Sequence, residues 1–165
     1  MNLRSHMIFI FSALVLAVLQ TTLVPLLLPV WLRPDLLLVL VVLLGLFLQP
    51  APGSAYAFGL GYLQDLLTGT MTGLFVFDRL VIYLAAYWLS GQFYAKSAWT
   101  QAIIVGILSI ADYILVWTLS AIFSGGEAAT VALWMVIPRA LSSALFGLVL
   151  FFPLSILWEG GQREL

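Results

Sequence analysis

Apolar residues run along this chain in long blocks, and polar residues gather in the short gaps between them. A block of roughly 17–25 apolar residues is the length of helix that crosses a ~30 Å hydrocarbon layer. The pattern predicts six spans, at about 7–28, 31–48, 54–67, 74–90, 102–123 and 133–158. Pro25 and Pro29 close the first. The second is short if it begins at Leu36 and of ordinary length if it begins near Trp31. Gln49-Pro50-Ala51-Pro52-Gly53 ends it, because proline is costly inside a helix. One helix over 54–90 would be about 55 Å long, too much for a single crossing, so a break is required. Thr68-Gly69-Thr70-Met71-Thr72-Gly73 supplies it. The stretch 91–101 is the most polar interior link and carries Lys96, and Ser124-Gly125-Gly126-Glu127 is a turn. The last block either forms one tilted, kinked helix or begins its true span at Pro138, with 128–137 at the interface. Proline's fitness for the first helical turn favours the second reading.

Composition places these blocks in lipid. The chain is 64% hydrophobic and 8% charged, whereas soluble domains are about 45–50% and roughly 25%. Mean hydropathy is +1.16. An all-α integral membrane protein follows, with one polytopic domain over residues 1–165. The first block follows Arg4 as a signal peptide would, but it exceeds the usual ~7–15-residue apolar region and lacks a small-x-small cleavage site. It reads as an uncleaved first span. Six spans put both termini on one side. Arg4, Lys96 and Arg163 then share the inner side, which the positive-inside rule makes cytoplasmic. Trp31, Trp99, Trp134 and Trp158 fall near span ends, as an aromatic belt requires.

Charge inside the blocks is the informative residue. Ionisable groups in lipid are costly unless they face protein and find partners. On this topology Arg33, Asp35, Asp65, Asp78, Arg79 and Arg139 lie in the outer half of the bundle. Arg33, Arg79 and Arg139 are expected to balance Asp35, Asp65 and Asp78 there. Asp112 lies near the middle of its span with no obvious partner at its depth. It pairs with Arg79, bonds a hydroxyl or a water, or stays protonated. The network either fixes helix order alone, the favoured reading, or forms a functional surface or ligand contact. Ala57, Gly61, Asp65, Gly69 and Gly73 recur every four residues, with Ala13-x-x-x-Ala17 and Ala140-x-x-x-Ala144 weaker cases. Small residues on one face let a second backbone approach closely, within the bundle by default or against a partner otherwise.

Several chemistries are excluded. A net charge of −1 with no basic patch argues against nucleic acid. No cysteine and a single histidine, His6, leave no donor set for zinc or iron, and no cofactor is expected. A Ser-His-Asp triad would need His6, far from the aspartates. Asp65 with Asp78 or Asp112 could form an aspartyl pair, but their flanks resemble no protease motif. The chain reads as a non-enzyme.

Arg33-Pro34-Asp35-Leu36-Leu37-Leu38 and the run Gly59-Leu60-Gly61-Tyr62-Leu63-Gln64-Asp65-Leu66-Leu67-Thr68-Gly69-Thr70-Met71-Thr72-Gly73 resemble the bacterial rod shape-determining MreD family. That family has an Arg-Pro-Asp/Asn step before an apolar second span, a Gly-x-x-x-Asp-Leu-x-Ser/Thr-Gly-x-x-x-Gly pattern, and a central aspartate in a later span, here matched by Asp112. The short tail, which is not basic, departs from it. The resemblance implies a non-catalytic scaffold of the cell-elongation complex in the bacterial inner membrane. Its partners would be a bitopic MreC-like protein, MreB, RodA and a class B penicillin-binding protein, with membrane lipids around it. It also implies a six-helix bundle similar to the substrate-binding subunits of energy-coupling-factor transporters. The alternative function is therefore a small-ligand-binding subunit of a transporter.

Overall fold

The computed structural model describes residues 3–69, 73–92, 97–123 and 135–162, and all regular structure among them is helical. The first block is helix α1 (Leu3–Val18), which widens into a π turn (Leu19–Leu23) and runs on as α2 (Val24–Leu27). Pro25 does not stop it. Proline has no N–H to offer the carbonyl four residues earlier, and a helix absorbs such a gap by locally widening. A 3₁₀ turn (Val30–Leu32) leads to α3 (Leu36–Phe47), then α4 (Pro50–Thr68), α5 (Leu74–Gln92), α6 (Ala98–Phe123) and α7 (Val136–Gln162).

Most predicted boundaries lie within a few residues of these. The exception is the start of α4, which takes in Pro50 and Pro52. First-turn N–H groups have no intrahelical acceptor, so proline removes nothing there. Val136 begins α7, with Pro138 in its first turn. The proposed interfacial piece at 128–137, the 124–127 turn, Thr70, Met71, Thr72, Lys96, Trp134 and Arg163 lie wholly or mostly outside the described residues.

Helix α3 is the axis of the bundle. It touches α1, α4, α5, α6 and α7, and every residue from Leu36 to Leu46 is buried. A continuous Leu/Val run is what such enclosure demands, since no face meets anything polar. Around it the usual order is inverted. Leu84, Trp88, Ile103, Ile107, Leu141 and Leu145 point outward, while Asp78 and Arg79 are completely enclosed. Among the described residues four segments are long and apolar enough to cross a membrane, Phe9–Leu27, Val30–Phe47, Leu74–Gln92 and Trp99–Ile122, and Val136–Val149 is a shorter apolar helix.

The small residues serve contacts inside the bundle. A methyl built on Gly61 would lie 2.6 Å from the Phe75 carbonyl oxygen, so α4 and α5 meet backbone to backbone. Gly45 does the same for α3 and α5, 2.8 Å from the Tyr83 carbonyl oxygen. Ala13, Ala17, Ala57 and Ala140 are buried, and Gly106 faces Ala144. Gly69 and Gly73, at the end of the first stripe, have nothing within 4 Å of a built methyl.

Candidate functional site

Arg79 enters the bundle from the second turn of α5. Its Nε donates to Gln64 Oε1 on α4 at 2.9 Å. Nη1 donates to Asp78 Oδ2 at 2.9 Å and to Asp112 Oδ1 on α6, and Nη2 donates to Asp35 Oδ2 at the start of α3. One guanidinium thus ties together four helices. The planar fork of arginine suits this, since its donors diverge in fixed directions. Phe75 lies 5.8 Å from the guanidinium carbon and covers one side.

Asp35 is the second hub. Its Oδ1 accepts from Leu38 N at 2.9 Å and caps α3, whose first N–H groups otherwise lack acceptors. The same oxygen accepts from Gln20 Nε2 at 3.2 Å, and Oδ2 accepts from Gln64 Nε2 at 3.3 Å. Gln20 sits in the π turn and also accepts from Leu37 N at 3.0 Å. Asp35 N donates to Ser143 Oγ on α7 at 3.2 Å. The segments carrying α1 through α7, apart from the 3₁₀ turn, therefore all reach one polar centre within an apolar body.

The expected pairing of three arginines with three aspartates is corrected in two places. Asp65 meets no arginine: its oxygens accept from Gly73 N at 2.8 Å and Phe75 N at 3.0 Å. It caps α5 from the neighbouring helix, where the helix dipole favours an anion. Gly69, at φ 62°, ends α4 in the left-handed region, and Gly73, at φ 101°, also needs glycine's freedom. The motif Gly61, Asp65, Gly69, Gly73 is a device for laying α5 against α4. Arg33 and Arg139 also stand apart from the network. Arg33 donates to the carbonyls of Leu28 at 3.2 Å and Pro25 at 3.3 Å, and Arg139 to Val30 at 3.3 Å. Both donate to backbone carbonyls of the stretch 25–30, and among the described residues only Arg79 forms ion pairs. Asp112 takes the first of its three alternatives and pairs with Arg79.

A cavity of about 400 Å³ adjoins this centre. Asp35, Gln64 and Asp112 line it, with Arg33 and Arg139 also in its wall. Sequence reasoning missed Gln20, Gln64 and Ser143. Gln20 and Gln64 signal a need for partners, because an uncharged amide inside an apolar block needs them as a carboxylate does, but not which partners; Ser143 gives no such signal. Among the described residues no group of three or more His, Cys, Asp or Glu side chains is arranged to hold a metal ion.

Comparisons with protein-family models, with curated proteins and with solved structures found no match, so the meaning of this site rests on its geometry.

Proposed function

We propose that this chain is a non-catalytic membrane scaffold of the MreD type, working in the cell-elongation complex of a bacterial inner membrane. One observation carries the reading: in the Gly61–Asp65–Gly69–Gly73 motif, Gly61 and Asp65 hold α5 against α4, and Gly69 and Gly73 shape the turn between the two helices. Arg79 is likewise committed to three carboxylates and an amide. Groups so engaged set shape, and shape is what a scaffold presents. In this reading six segments cross the bilayer, α3 being a short, protein-enclosed crossing and α4 a less apolar one. Both termini are cytoplasmic. The outward faces of α1, α5, α6 and α7 meet lipid or a bitopic MreC-like partner, through which MreB, RodA and a class B penicillin-binding protein are coupled. Co-expression with such a partner and mild detergent extraction tests this. A stable stoichiometric complex is expected; recovery of this chain alone, with the partner present and folded, contradicts it.

The second reading, a small-ligand-binding subunit of a transporter, has one observation in its favour, the cavity beside the charge centre. A transport subunit must release its ligand across the membrane, so vesicle uptake of the bound ligand distinguishes it from a scaffold.

A further inference from the structure

The cavity is electrically polarised. At one side two carboxylates in the cavity wall, Asp35 and Asp112, share the enclosed guanidinium of Arg79. In the same wall Arg33 and Arg139 each give part of their donor set to backbone carbonyls, and no carboxylate of the described residues pairs with either. Asp35 has both oxygens engaged by Leu38, Gln20, Gln64 and Arg79. Asp112 accepts from Arg79 through Oδ1 alone and lies against Asp78; its side chain is 15% exposed, against 26% for Asp35. Beside it on α6, Ser109 and Tyr113 line the cavity with buried hydroxyls that have no partner. Buried polar groups are ordinarily satisfied, and an orphan typically costs about 1–3 kcal/mol.

A purely cationic ligand would be repelled by the two arginines, and a purely anionic one would leave the carboxylate and hydroxyls of Asp112, Ser109 and Tyr113 unmatched. A molecule carrying both charges meets neither penalty. Arginine's fork matches phosphate, and a primary ammonium has three N–H donors for a carboxylate and two hydroxyls. We propose that this cavity binds phosphoethanolamine chemistry: the ammonium on Asp112, Ser109 and Tyr113, the phosphate on Arg33 and Arg139. The source is either the headgroup of phosphatidylethanolamine or the free zwitterion. This inference rests on the ligand-binding reading of the cavity and is independent of whether the chain also acts as a scaffold.

The test uses the full chain in detergent and in nanodiscs. Thermal melts are recorded with millimolar phosphoethanolamine, ethanolamine, inorganic phosphate and phosphocholine. Phosphoethanolamine alone is expected to raise the melting temperature saturably. The double variant Arg33→Gln, Arg139→Gln is expected to weaken its apparent affinity at least about tenfold. If that variant does not fold, Arg139→Gln alone is expected to weaken binding measurably. Native mass spectrometry from nanodiscs of mixed phosphatidylethanolamine, phosphatidylcholine and phosphatidylglycerol identifies the source. Selective retention of the first supports the headgroup, and its absence alongside binding of free phosphoethanolamine supports the soluble zwitterion. Equal stabilisation by phosphate or phosphocholine, or unchanged affinity in the arginine variants, overturns the phosphoethanolamine assignment while leaving a ligand site. No stabilisation by any probe and no retained lipid overturns both.

Discussion

Gly61→Ala puts the contact between α4 and α5 under a single methyl. That methyl would sit 2.6 Å from the Phe75 carbonyl oxygen and Val76 Cα and 2.9 Å from Val76 N, against 3.4 Å for ordinary contact. All three are backbone atoms, so no side chain can swing aside. Helix α5 must retreat by about 0.8 Å at that point, the difference between those distances. The retreat acts at Phe75 and within one turn of Gly73, whose N–H groups donate to Asp65 at 3.0 and 2.8 Å. Both bonds then approach or pass the usual upper limit of about 3.2 Å. Overpacking costs about 1–3 kcal/mol, and weakened bonds to a charged cap add about 1 kcal/mol. The expected loss is about 2–4 kcal/mol, or roughly 4–16 °C in Tm for a chain of this size. Gly59→Ala is the matched control. It lies on the same helix, exposed, with nothing within 4 Å of the new methyl. Relief of glycine's helix penalty there is worth up to about 1 kcal/mol of added stability. Tryptophan-fluorescence melts of the two purified variants decide the matter. Tm values within about 2 °C of each other would refute the close approach and the motif's assigned role.

The other expected outcomes are smaller and as readily measured. Asp65→Ala removes two charge-assisted caps on α5 and is expected to cost about 1–3 kcal/mol in the same melts, with Asp65→Asn in between. Gly69→Ala forces a side chain into the left-handed region and is expected to cost about 1–2 kcal/mol, while Gly69→Asn costs less. Tyr83→Phe removes a hydroxyl that donates to the Leu48 and Gln49 carbonyls at 3.2 and 3.0 Å. Leu48 is the C-cap of α3 and Gln49 the N-cap of α4, whose carbonyl also accepts from Gly53 N at 3.0 Å, so the hydroxyl ties the two helix ends together and a loss of about 1 kcal/mol is expected from denaturant titration.

How much was legible from sequence depended on whether the cause was local. The enclosure of α3 is written in its unbroken Leu/Val run, and the turn at Gly69 and Gly73 in the residues that tolerate positive φ. The four-residue spacing of Ala57, Gly61 and Asp65 put them on one face, and that face is the one that meets α5. The charge pairing was legible only in part. Hydropathy gives a side chain's depth but not its direction around the helix axis. Arg33, Arg79 and Arg139 therefore looked equivalent, although only Arg79 points into the bundle toward Asp35 and Asp112. The roles of Gln20 and Gln64 required knowing that the π turn and α4 flank the start of α3, a fact of tertiary packing with no local signature.

The central claim is that Arg79 holds the bundle together through carboxylates on separate helices. A double-mutant cycle on Arg79→Met and Asp112→Asn, read as unfolding free energies in one detergent, tests it most directly. Removing the arginine alone should cost about 3–5 kcal/mol, because it strands buried carboxylates. The double variant should cost less than the sum of the singles by about 1–3 kcal/mol. Additivity within about 0.5 kcal/mol would mean that the two side chains do not meet, and the account of this fold as built around one shared guanidinium would be wrong.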